Sequence, residues 1–188
     1  MASEQKPHQP KVRDSMRDAT DADVRKVGIT GSEQNKLRQS LYKTAWERIA
    51  AAQANGNYLE VICYLDSIIA DRIFALVQTI RHHEDKQYPM LGPGPAVEAF
   101  FVTVKNAKIS KDIIDERTRT CISEVVVWLK LRNVAVHGFV TVTPKQDTSV
   151  EKRLEAMKVA AEEGVKLTKK IQTATRRSIS MVKRSSSS

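Results

Sequence analysis

Four side chains in this sequence have the types and spacing to work together: Arg132, Asn133 and His137 near the end of one apolar stretch, and Asp66 inside another. Asn133 and His137 stand four residues apart, which makes them neighbours on one face of a helix. With Ile122 as the origin of a helical wheel, Val126, Leu129, Asn133 and Val136 fall within about 40° and His137 about 60° away. The pair therefore continues what reads as the core-facing stripe. Arg132 stands about 140° from His137, but its long side chain can bend back toward the same place. Asp66 lies about 40° from Ile62 on its own helix and so points inward, where a carboxylate needs a partner. A histidine titrating near neutral pH, with an arginine, an amide and an inward acid around it, suits acid–base work. Where the two helices pack together, Asp66 is the acid to pair with Arg132 or to orient His137.

Five helices are expected to position these groups. The first spans residues 32–55, with Ser32 able to cap it and Gly56 able to stop it. Its apolar stripe is the weakest. The second spans 58–81 and places Leu59, Ile62, Leu65, Ile69, Ile73, Leu76 and Ile80 on one face, so it must be substantially buried. Proline lacks an amide and restricts its predecessor, so residues 89–95, with three prolines, read as a loop before a short third helix at 96–106. The fourth follows Ser110 as its cap and carries Ile113, Ile114, Cys121, Ile122, Val125, Val126 and Leu129 to a stop at Gly138. After an extended piece at 139–144, Thr148 and Glu151 form a capping box for the last helix. There Val150, Leu154, Met157, Ala161, Gly164, Thr168 and Ile171 alternate in steps of four and three, a seam for the bundle or for another subunit.

The flanks read differently. Residues 1–31 are charged, carry Pro7, Pro10, Gly28 and Gly31, and form a flexible N-terminal arm. Residues 176–188 form a basic, serine-rich tail whose Arg176, Arg177, Lys183 and Arg184 could grip nucleic-acid phosphates, or serve solubility alone. The fold class is thus all-α: a helical bundle at 32–175 with disordered basic arms.

Lys and Arg number 31 against 22 acids, giving a formal charge of +9 and pI near 9.6, a bias toward polyanions such as RNA. Cys63 and Cys121 sit in apolar runs without metal-ligand spacing and read as buried free thiols of a reducing, cytoplasmic protein. Neither a secretion signal nor a membrane span is evident. His82, His83, Glu84 and Asp85 read as a solvated helix end, because adjacent histidines diverge on a helix. Trp46, Trp128 and Tyr42 read as packing aromatics sooner than base-stacking platforms. No cofactor or metal is called for.

The run Arg132-Asn133, three residues, then His137 resembles the Arg-x4-6-His motif of the HEPN superfamily, helical bundles whose active members are metal-independent ribonucleases, often toxins or defence effectors. The architectural likeness covers residues 32–175, and the motif itself residues 132–137. The resemblance implies that His137 takes the proton of a ribose 2′-hydroxyl, which attacks the adjacent phosphate. It further implies that Arg132 offsets the growing charge and that Asn133 holds His137 or a phosphate oxygen. A homodimer with a composite cleft is the implied assembly, with RNA as substrate and an antitoxin or other protein as a further partner. Some family toxins carry Tyr two residues after the histidine; Phe139 stands here instead. Two readings compete with catalysis: a noncatalytic module that binds RNA or protein, and a self-assembling structural protein using its arms on nucleic acid. In both, Arg132, Asn133 and His137 are a polar helix end, with His137 capping carbonyls and Asp66 in a structural ion pair.

Overall fold

The computed structural model describes residues 31–81, 92–106, 114–140 and 149–185. The chain divides into two compact units, Met1–Leu41 and Tyr42–Ser188. Every element among the described residues is a helix: α1 Gly31–Ala54, α2 Tyr58–Ile80, α3 Pro93–Asn106, α4 Glu116–Val140 and α5 Val150–Ser185. The all-α class expected from the sequence is the class observed. No helix among the described residues is long and apolar enough to cross a membrane. The proposed N-terminal arm, apart from Gly31, and residues 82–85, Ser110, Ile113 and Thr148 lie outside the described residues.

The unit Tyr42–Ser188 is built around α2. Val61, Ile62, Leu65, Ile69, Ile73, Leu76 and Val77 are all sealed from solvent, so this helix is buried on more than the one face its period predicts. Leu59 is the exception, exposed at the helix start. Each fully buried side chain of this size stabilises the fold by about 1.5–3 kcal/mol. α2 packs chiefly on α5 and α3, and α5 in turn packs on α4. The later part of α1 joins through Ile49 and Ala52, and through a hydrogen bond donated by the Tyr42 hydroxyl to Asp71. Gly56, at φ 72°, ends α1 as expected: its amide bonds Gln53 and the amide of Asn57 bonds Ala52, satisfying two carbonyls that the helix leaves open.

Apart from the end of α5, four helix ends differ from expectation. α3 starts at Pro93, not residue 96, because its first intrahelical bond runs from the Ala96 amide to the Gly92 carbonyl. Pro93 and Pro95 thus occupy first-turn positions whose amides have no intrahelical partner in any helix, so their missing donors cost nothing. α4 starts at Glu116 under Asp115, whose Oδ1 accepts the Thr118 amide at 2.8 Å. Hydrogen bonds from Thr118 hold the Asp115 carboxyl below the usual carboxylate range. α4 also passes through Gly138 to Val140, so Phe139 is helical rather than extended. At the head of α5 the cap is Ser149, whose Oγ accepts the Lys152 amide at 3.3 Å.

The largest difference lies at the far end. α5 continues to Ser185, and Ser178 and Val182 are buried, so Arg176, Arg177, Lys183 and Arg184 stand on a packed helix and not on a tail beginning at 176. The four-and-three spacing simply carries on through Thr175, Ser178 and Val182, all buried. The seam closes within the chain from Met157 onward, while Val150 and Leu154 before it are exposed.

Candidate functional site

The site is assembled where α4 meets α2. Arg132 reaches across to Asp66: its Nε donates to Asp66 Oδ2 at 3.1 Å, and a second guanidinium nitrogen donates to the same oxygen. The remaining terminal nitrogen donates to Asn133 Oδ1 at 2.6 Å. The arginine is therefore held on two sides, by a carboxylate from a neighbouring helix and by the next residue along its own. Both partners of the ion pair are mostly shielded, their side chains 26% and 17% exposed. Asp66 Oδ1 is buried and makes no hydrogen bond among the described residues. Burial pushes the Asp66 carboxyl above its ordinary 3.8, and the hydrogen bond and charge of Arg132 pull it back only in part.

The inward Asp66 and its pairing with Arg132 follow the sequence pattern; the inward histidine does not. Asn133 and His137 are exposed, as is Val126, which shared their assumed stripe. Buried instead are Thr118, Cys121, Ile122, Val125, Trp128 and Ala135, a face rotated away from the expected one. Trp128 decides the rotation. It is the largest side chain of the helix, and its indole nitrogen donates to the Ala160 carbonyl at 2.8 Å, a partner that exists only on the α5 side. His137 makes no hydrogen bond to Arg132, Asn133 or Asp66 among the described residues, so Asp66 orients the arginine and not the histidine.

The structural role offered to His137 falls to another residue. Arg153 of α5 donates from one terminal nitrogen to the carbonyls of Gly138 at 2.7 Å and Phe139 at 3.0 Å, capping the end of α4. His137 is thereby left in solvent one turn beyond Asn133. Val126, Lys130, Asn133 and His137 follow one exposed line on α4, with Val127 and Val134 flanking it at about 80–100°. Val127 and Val134 are 69% and 65% exposed, which makes this an apolar surface interrupted by the polar groups of interest.

Family models, curated proteins and solved structures offer no match to this chain. The site is read from its own geometry.

The remaining candidates sort by packing. Trp128 is buried, and Trp46 and Tyr42 are half-buried against the core, which leaves none of the three as an open stacking platform. Cys121 is buried, and burial, with Glu124 nearby, pushes its thiol up to about 11. Cys63 is exposed, contrary to the buried thiol expected, because it sits on the same outer face of α2 as Leu59 and Ser67. Among the described residues no group of three His, Cys, Asp or Glu is arranged to hold a metal ion. Sequence reasoning missed Arg153, whose only signal was a basic residue close behind a helix end.

Proposed function

We propose that the α4 surface is one half of a metal-independent endoribonuclease site of HEPN type, acting on RNA and completed by a second copy of the chain. The observation that carries this reading is the Asp66–Arg132–Asn133 relay, which spends a shielded carboxylate and an amide on fixing one guanidinium at the surface, a turn away from an exposed histidine. A guanidinium held in this way is preorganised for a phosphate whose charge grows during reaction.

In the proposed reaction His137 accepts the proton of a ribose 2′-hydroxyl and the oxygen bonds to the adjacent phosphorus. The bond from phosphorus to the 5′-oxygen breaks, and the histidine of the second copy protonates that leaving oxygen. Arg132 offsets charge on the phosphoryl oxygens. Asp66 touches neither substrate nor histidine and is a positioning residue. An open helix face excludes no water, so a second copy seated on Val126, Val127 and Val134 would supply the enclosure that a single chain lacks.

The competing reading, a noncatalytic module that binds RNA or a protein such as an antitoxin, is favoured by the absence of any hydrogen bond from His137 to the relay. Incubation with single-stranded RNA in EDTA separates the two. The nuclease reading expects cleavage to 2′,3′-cyclic phosphate ends, reduced by about 100-fold or more in His137→Ala, and strongly reduced in Arg132→Ala. Intact RNA with the natural chain, or cleavage by both variants as fast as by the natural chain, refutes it.

A further inference from the structure

α5 is divided by charge along its length. Its first half mixes signs, with Glu151, Glu155, Glu162 and Glu163 among Lys152, Arg153 and Lys158. From Gly164 to Ser185 no acid occurs, and Lys166, Lys169, Lys170, Arg176, Arg177, Lys183 and Arg184 are all exposed. Their spacing of three, one and six or seven residues keeps them on the outward side, opposite Leu167, Ile171, Thr175, Ser178 and Val182 in the core. The result is a straight cationic stripe about 27 Å long. Among the described residues Lys166 faces Glu163, Lys170 faces Glu124 and Arg177 faces Asp115, at 2.7, 3.0 and 3.7 Å. Such exposed pairs are weak and easily exchanged for another anion.

Helix electrostatics does not explain the stripe. The macrodipole favours cations only in the last turn, which covers Lys183 and Arg184 but not the residues from Lys166 to Arg177. Nor is the stripe a loose tail, since Ser178 Oγ and Thr118 Oγ1 share a buried hydrogen bond at 3.1 Å and Val182 is sealed against the core.

We infer that this face of α5 is a rigid binding surface for the phosphodiester backbone of single-stranded RNA, engaged without regard to base sequence. The cations lie in a line, and a flexible single strand can lay its phosphates along a line. The strands of a stiff duplex curve away from a straight rod within a fraction of a turn. No Phe, Tyr or Trp lies in this part of α5, the Trp46 ring beside Lys169 is half-buried, and the Thr173 and Ser180 hydroxyls already donate to the Lys169 and Arg176 carbonyls, so what the surface offers is its charge. The inference shares RNA with the reading above but does not depend on His137 being catalytic.

The test is fluorescence anisotropy of the full chain with a labelled oligouridine of about 20 nucleotides, titrated across salt, with duplex DNA of equal length alongside. Removing the charges in Arg176→Gln, Arg177→Gln, Lys183→Gln and Arg184→Gln together should weaken binding roughly tenfold or more. The slope of log affinity against log salt should become shallower by about 0.7 per cation removed. Lys105→Gln with Lys158→Gln, which removes charge elsewhere, should change binding little. Arg176→Lys with Arg177→Lys should retain it, which separates lost charge from lost folding. Failure of the natural chain to bind, equal weakening by the Lys105 and Lys158 changes, an unchanged salt slope, or tighter binding to the duplex would each overturn the inference. Binding by the natural chain without cleavage in EDTA would support it while removing the nuclease reading.

Discussion

Gly164 offers a contest between two effects of opposite sign. It lies in the interior of α5, where replacing glycine by alanine normally stabilises by about 0.8–1 kcal/mol through helix propensity. Here a Cβ would come within 2.8 Å of Leu65 Cδ1, 2.8 Å of Trp128 Nε1 and 2.9 Å of Trp128 Cε2. Leu65 Cδ1 ends a flexible side chain and can give way, whereas the Trp128 ring is rigid and can only turn as a whole. The indole is also pinned by its bond to Ala160, and turning it aside would forfeit that bond, worth about 1 kcal/mol. Overpacking of a filled core costs typically about 1–3 kcal/mol. Setting these against the propensity gain leaves Gly164→Ala less stable by about 1–3 kcal/mol. Urea denaturation followed by tryptophan fluorescence reads this directly, as a lower midpoint with an unchanged slope. An alanine variant as stable as the natural chain, or more so, would refute the close approach of α5 to α2 and α4.

Two further outcomes follow from the same packing. Because burial raises the Asp66 carboxyl above 3.8, the folded chain holds that proton more tightly than the unfolded chain, and the stability Asp66 contributes is full below 3.8 and lost as pH rises through the folded value. The stability of the natural chain minus that of Asp66→Asn, from denaturation at a series of pH values, should therefore fall with rising pH over that window and then level off; a rise would mean that Arg132 outweighs burial. Truncation after Thr175 should destabilise by about 2–3 kcal/mol, from loss of Val182 burial and from a Thr118 hydroxyl left without Ser178. A truncated chain with an unchanged midpoint would mean that the end of α5 is a tail after all.

What could be read from the sequence depended on how many residues voted for one helical phase. In α2 the apolar residues recur so regularly that the buried face, and with it inward Asp66, was legible. In α4 the run Val125, Val126, Val127 offers apolar residues at three successive angles and fixes no phase. Choosing Val126 with Ile122 turned Asn133 and His137 inward; Cys121, Val125 and Trp128 bury more area and turned them out. Weighting the wheel by side-chain size, with Trp128 foremost, would have found the true face. The end of α5 was hidden by composition, since arginine and serine resemble linker chemistry, although the steps from Gly164 through Thr168, Ile171, Thr175, Ser178 and Val182 never break. At Pro93 and Pro95 proline was read as a breaker, when the first turn of a helix has no amide bond for it to break.

Between Ala160 and Thr175 the seam of α5 is made largely of residues that have little to immobilise, with Leu167 and Ile171 as its larger members. Ala160, Ala161 and Gly164 have no rotamers, and Thr168 and Thr175 are already tethered by their hydroxyls to the Gly164 and Ile171 carbonyls at 2.7 Å. Ordering a long flexible side chain costs up to about 1.5–2 kcal/mol, whereas alanine and glycine cost none. Docking this helix therefore sacrifices little side-chain entropy, so a seam of small residues with modest apolar area can hold a helix of 36 residues in one register.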